Sequence, residues 1–414
     1  MGTGPSMFLR PFEFLVDLHR RHGDAFRVAI LGGPVTFVVG EAARQHLEET
    51  SRCPLRRSGL YNPFAREVGL AVFDAEGEAH RRARALLREP YSRALVLEHR
   101  AAIASQVEAA LVDLREPADL LALTLSLAQR AAMRVITQVP LERHAAAVST
   151  AGNRVMYAQF KILPEFVLRL PKYRRAHKEM MTAIEAAVRA HEAHPPAQRH
   201  MIDVCLSARL DDGTSMDRRT LIATCVYALA GTEIYVGRIL YFLLEALLEH
   251  PEWLARLRAE LDDAADDGER PIFRAVLNET LRRRPLIPTY LYEATDDFAL
   301  GDLSVRRGER VGFSPYLSHF DERVFPDPLR FDPSRFLDDD RRAAARATIT
   351  PFGWGDHACV APGMVEAYVE AIVQPMLQRW DVSIHRRAAP QLRMMPLIRP
   401  RRPMTVTTAR RSAA

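Results

Sequence analysis

A chain of 414 residues, 48% of them hydrophobic, is long enough for one large domain or two ordinary ones and can bury a sizeable core. The net charge of +5 comes from interspersed basic and acidic residues, so nothing in it demands nucleic acid. The four cysteines (Cys53, Cys205, Cys225 and Cys359) have no paired spacing, which argues against a disulfide framework and for a reducing compartment. The first residues show no signal peptide and no apolar run of about 18 or more. The expectation is therefore a soluble, cytoplasmic protein without a membrane anchor.

Residues 1–24 read as an amphipathic helix with Phe12, Phe14, Leu15 and Leu18 on one stripe, ended by His22-Gly23-Asp24. Residues 25–30 and 35–39 flank Gly32-Gly33-Pro34 and predict a hairpin, followed by a short helix over 40–49. Residues 51–78 are irregular and carry Tyr61, Phe64 and Phe73; long irregular loops in compact domains are often functional. The next helix opens on His80-Arg81-Arg82-Ala83-Arg84. His80 and Arg84 share a face there and can together grip a carboxylate, or simply be solvated. Helices follow over 101–114, 120–139, 142–162 and 175–193, with breaks at Pro164 and Pro171 and a loop at Pro195-Pro196. Tyr157, Phe160, Ile162, Leu163, Phe166 and Leu168 read mostly as core, with a lid over a pocket as the alternative.

The longest helical run spans 217–250, with Asp217 as its N-cap. Between 221 and 248 only Glu233, Arg238 and Glu245 are charged, the pattern of a central buried helix. Glu279 and Arg282 stand three apart on a helix and can pair. A strand over 286–291 should follow, then short strands at 298–300, 303–305 and 310–313. The tail over 382–406 reads as a hairpin with Met394-Met395-Pro396-Leu397 as a candidate pocket tip.

Ahead of the last helix lies Pro351-Phe352-Gly353-Trp354-Gly355-Asp356-His357-Ala358-Cys359-Val360-Ala361-Pro362-Gly363. Its glycines allow a tight turn against a flat ligand, and Pro362 is pre-set for a first helical turn. Cys359 then precedes a helix N-terminus, where the dipole and main-chain N–H groups favour a thiolate. Such a thiolate can be the axial ligand of a heme iron. The alternative for a lone cysteine is a buried structural thiol.

Phe352, Gly353, Gly355, His357 and Cys359 resemble the heme-binding signature of the cytochrome P450 family, with Ala361 where the family usually has glycine. Ala230-Gly231-Thr232-Glu233 resembles the family's oxygen-binding motif, Glu279-Thr280-Leu281-Arg282 its E-x-x-R, and Phe331-Asp332-Pro333-Ser334-Arg335-Phe336 its F-x-P-x-R-F. The resemblance covers about 80 to 363 and implies a mostly helical α+β fold, a single cytochrome P450 domain over 1–414. It implies heme b with Cys359 as proximal thiolate and metal ligand, Phe352 packed near it, and His80, Arg84 and His357 on the propionates. Glu279, Arg282 and Arg335 would form a structural cluster. The 51–78 stretch would cover the substrate pocket, and Arg81, Arg82 and Arg88 would offer a basic face to a redox partner or to solvent.

Two departures stand out. Tyr292 occupies a place where many members have a propionate-binding arginine; it can donate a hydrogen bond but carries no charge. Ile234 follows Glu233 where the family has threonine, so the hydroxyl on the oxygen side is missing. Thr232 does not replace it on a regular helix, where two positions are about 200° apart. The expected activity is oxidation of an apolar small molecule, as in secondary metabolism, by a monomer using O2 and electrons from a ferredoxin or flavodoxin-type protein. Glu233, Ile234 and Thr232 are the catalytic candidates and Gly231 lies at the cofactor. Because of Ile234, the alternative is a reaction without ordinary oxygen activation: peroxide rearrangement, isomerisation or coupling. A non-catalytic heme sensor or carrier is the third reading.

Overall fold

In the computed structural model the expected hairpin forms, Ala25–Ile30 pairing antiparallel with Gly33–Val38. The structure describes residues 11–30, 33–40, 54–57, 66–67, 69–73, 75–159, 164–263, 269–300, 303–388, 391–393 and 397–411. The helix expected over 40–49 and the residues Cys53, Tyr61, Phe64, Phe160, Ile162, Leu163 and Met394-Met395-Pro396 lie outside them. The chain divides into two compact units, Met1–Gly59 with Pro271–Ala358, and Leu60–Arg270 with Cys359–Ala414.

The first unit is built on a five-stranded sheet in the order Ala25–Ile30, Gly33–Val38, Arg310–Phe313, Tyr290–Ala294, Leu55–Arg57. Side-chain alternation along these strands feeds two cores. Val35 and Phe37 join Leu15, Leu18 and Phe26 on one side, while Val38, Val311 and Phe313 join Tyr292 and Trp354 on the other. The strand expected over 286–291 starts at Tyr290 instead. Pro285 and Pro288 lie in the expected stretch or beside it and supply no N–H for a ladder. Pro271–Arg283 carries the predicted charge cluster. Glu279 and Arg282 are fully buried and joined by two hydrogen bonds of 2.7 Å. Arg335 Nε stands 3.8 Å from Glu279 Oε1.

The second unit is helical. Leu120–Ile136, Ala145–Gln159 and Pro171–Ala193 stop or start within a few residues of expectation. Pro171 opens its helix rather than breaking one, because a first-turn N–H needs no partner. Phe166 is 59% exposed while Leu168 is buried, so the stretch read as core with a lid as alternative is mixed. The predicted long helix spans Arg218–Glu249; it is long and apolar enough to cross a membrane, yet 67% of its apolar window is buried inside the protein. The tail closes as expected: Trp380–Arg386 pairs with Thr405–Arg410, and Ala118–Asp119 adds a third strand.

Candidate functional site

The long helix starts where Asp217 accepts from the Thr220 N–H, as its sequence foretold. It does not continue as a regular α-helix. Thr232–Val236 is a π turn, in which the Gly237 N–H donates to the Thr232 carbonyl five residues back. The motif read as an oxygen-binding signature therefore sits on a helix defect. Ile234 and Ala230 still share one face: Ile234 Cδ1 and Ala230 Cβ both come within 3.2 Å of where a Cβ on Gly152 would lie. Glycine there lets Ala145–Gln159 approach this face closely.

Ile234 and Ala230 line a small apolar cleft, with Val155, Met156, Tyr227 and Tyr235 among the other wall residues. Gly231 lines it too; Thr232 is buried but does not. Phe73, from the irregular stretch expected to cover a pocket, packs edge-on against the cleft residue Tyr227, ring centroids 4.7 Å apart.

Glu233 is buried, and its carboxylate is engaged by neighbours. Ser149 Oγ donates to Oε1 at 2.5 Å and Gln129 Nε2 donates to Oε2 at 2.7 Å. Burial pushes its pKa above the ordinary carboxylate value; the two hydrogen bonds and the charge of Arg238 oppose that shift without cancelling it. An acid so placed holds its proton more readily than a solvated one.

Cys359 lies at the other end of the same unit's chemistry, three residues ahead of Pro362–Arg379. Its Sγ accepts from the Ala361 N–H at 3.4 Å and is only partly buried. Cys205 and Cys225 are fully buried. In Gly77–Leu87, His80 is buried and Arg84 half-buried on the same face. Arg81 and Arg82 point elsewhere, held by Glu78 and by Asp212. His80 thus turns inward while Arg81 and Arg82 pair at the surface.

The first unit holds the remaining candidates. Gly353 and Gly355 adopt left-handed backbone, φ +76° and +66°, as a tight glycine loop requires. Phe352 and His357 are half-buried in that loop. Tyr290 donates to the Pro351 carbonyl at 3.3 Å, and the Thr350 N–H donates to His319 Nε2 at 2.7 Å, which moor the loop to the unit's core. Tyr292 is buried with its ring 5.6 Å from that of Trp354.

The cytochrome P450 family model matches residues 5–408. The chain belongs to the cytochrome P450 family. It is similar to a cyclooctat-9-en-7-ol 5-monooxygenase of Streptomyces melanosporofaciens, at 25% identity over 92% of this chain and 87% of that protein. A pentalenene oxygenase of Streptomyces avermitilis is 24% identical over 93% and 89%. Among solved structures, a retinoic acid-bound cyanobacterial cytochrome P450 superposes with a TM-score of 0.83 at 19% identity, covering 98% of this chain and 96% of that one. The heme domain of another cytochrome P450 gives 0.82 at 17%, over 99% and 94%. These two show the shared fold.

This cytochrome P450 is thus an oxidoreductase of the monooxygenase type, and its family implies a heme cofactor. The donor set fits that group. Among the described cysteines only Cys359 is not buried, and its sulfur receives a main-chain N–H as a thiolate ligand would. Sequence reasoning missed Ser149 and Gln129, which reach Glu233 from 84 and 104 residues away. It also passed over Arg238, although a lone arginine in an apolar helix is itself a signal.

Proposed function

We propose that this cytochrome P450 oxidises an apolar small molecule, hydroxylating it or performing a related oxidation, with O2 and electrons from a ferredoxin or flavodoxin-type protein. The observation that carries the reading is Cys359: a partly accessible thiol beside a helix start, in the family's glycine loop. Heme b held through the Cys359 thiolate would supply oxygen activation and one-electron chemistry. His80, Arg84 and His357 would hold its propionates, with Tyr292 offering a neutral donor and Phe352 packing by the sulfur. The apolar cleft walled by Ala230, Gly231 and Ile234 receives the substrate and excludes water from it. The relatives named cyclooctat-9-en-7-ol 5-monooxygenase and pentalenene oxygenase support a substrate of secondary metabolism. The protein is read as a cytoplasmic monomer.

On the distal side Glu233 holds a proton at a carboxylate oriented by Ser149 and Gln129. Ile234 presents only carbon to the cleft and orders no water there. That observation favours a second reading, in which the reaction is a rearrangement, isomerisation or coupling needing no reductant.

Cys359→His in the reduced, carbon monoxide-bound protein is expected to abolish the red-shifted Soret band of thiolate ligation, while Cys205→Ser and Cys225→Ser keep it. An unchanged band in the Cys359 variant rejects the assignment. Product formed without any reductase selects the second reading.

A further inference from the structure

From residue 382 to residue 414 the chain carries eight arginines and no aspartate or glutamate. Three of these arginines find acids elsewhere in the same unit: Arg387 pairs with Glu249, Arg410 with Glu108 and Arg411 with Asp262. Arg393, Arg401 and Arg402 are exposed and form no ion pair among the described residues.

The backbone brings these three together. Leu392–Arg393 pairs antiparallel with Arg399–Pro400, which sets Arg393 opposite Arg399. The Arg401 N–H donates to the Gln391 carbonyl at 3.0 Å and carries the same register one step further. Side chains alternate along such a ribbon, so Gln391, Arg393, Arg399 and Arg401 fall on one face and Leu392, Ile398 and Pro400 on the other. Ile398 and Pro400 are buried, so the apolar face turns into the protein while Gln391, Arg393 and Arg401 stand exposed. Gln391, Arg393, Arg401 and Arg402 line one polar cleft. Like charges directly opposite each other in a ladder repel. Another ladder of this chain shows the usual remedy: Arg56 stands opposite Glu293 and pairs with it. Here arginine stands opposite arginine, and the cleft adds two more guanidinium groups. An anion in the cleft offsets that repulsion.

We infer that Gln391, Arg393, Arg401 and Arg402 form a binding site for a soluble small molecule bearing a diphosphate group. Guanidinium forks bind phosphate oxygens through paired N–H bonds, and the Gln391 amide adds an uncharged donor. One phosphate carries about −1.5 to −2 charges near neutral pH, so two linked phosphates match three guanidinium charges better than one does. The inference does not depend on the monooxygenase reading.

The holoenzyme is titrated with pyrophosphate and with orthophosphate by calorimetry, in a buffer free of phosphate and at fixed ionic strength. Pyrophosphate should bind about 10-fold more tightly than orthophosphate or better. Arg393→Gln and Arg401→Gln should each weaken pyrophosphate by about 10-fold, the effect of removing one charge-assisted contact. Both residues are exposed, so the fold does not depend on them. Arg386→Gln is the control: Arg386 is exposed in the same basic stretch but does not line the cleft, and its variant should stay within about 2-fold of the wild type. Equal affinity for the two anions overturns the inference. So does an Arg386→Gln variant weakened as much as the other two, which would mean a diffuse attraction by the whole basic stretch. Full affinity in Arg393→Gln and Arg401→Gln overturns it as well. Co-sedimentation with phosphatidylglycerol vesicles, without measurable pyrophosphate binding, assigns the arginines to a lipid surface and overturns the soluble ligand.

Discussion

Glu279→Gln tests the charge cluster that organises the first unit. The carboxylate accepts from Arg282 Nε and Nη2 at 2.7 Å and from the Asp332 N–H at 3.0 Å, with Arg335 Nε at 3.8 Å. Glutamine keeps the shape but removes the charge and turns an NH2 toward arginine donors. Arg282 would stay fully buried, supported only by the carbonyls of His319 and Pro328 at 2.8 and 2.9 Å and a marginal contact to that of Arg330. Removing one partner of a buried pair costs about 3–5 kcal/mol, because the survivor is left uncompensated. Against a total stability of about 5–15 kcal/mol that is a large fraction. With a urea slope of about 3 kcal/mol/M, the unfolding midpoint falls by on the order of 1 M. Urea melts followed by circular dichroism, with heme content measured in parallel, provide the assay. Replacing both partners, as in Glu279→Leu with Arg282→Met, should cost less than the two single changes combined, since no charge is stranded. A Glu279→Gln protein that melts at the wild-type midpoint with an unchanged slope would refute the reasoning.

Other expectations follow from the distal turn and the buried histidines. If the reaction is a monooxygenation, Ile234→Thr should raise product formed per reductant consumed with simple apolar substrates; a flat or lower ratio supports a reaction that needs no proton relay. Burial lowers the pKa of His200 to about 4, with His99 opposing its charge as well, and lowers that of His319 to about 3. Both are below the unfolded value of about 6.5, so the unfolded chain binds more protons and stability falls as pH drops from about 6.5 toward 4. The slope contributed by each histidine is at most about 1.4 kcal/mol per pH unit. Urea midpoints at pH 7 and pH 5 check this: no decline between them contradicts the assignment, and His200→Asn should flatten it.

What could be read locally was read. The Asp217 cap, Pro362 in a first turn, the hairpin around Gly33 and the Glu279–Arg282 pair depend on neighbours within a few residues, and rules of spacing suffice for them. The loop ending in Cys359 was legible for the same reason: its chemistry lies in contiguous residues. Other features needed the folded chain. The Arg282 guanidinium is completed by carbonyls 37 and 46 residues away, which no helical period announces. The π turn at Thr232–Val236 departs from the regular helix expected there, yet Ile234 and Ala230 remain on one face. Glu233 was found as an acid, but its proton affinity depends on burial and on Ser149 and Gln129 from two other helices. The sequence alone determined the motifs, the helix start and the missing hydroxyl. Only the tertiary structure decided which way the acid turns and how deeply it is buried, because desolvation and long-range pairing arise when distant segments pack.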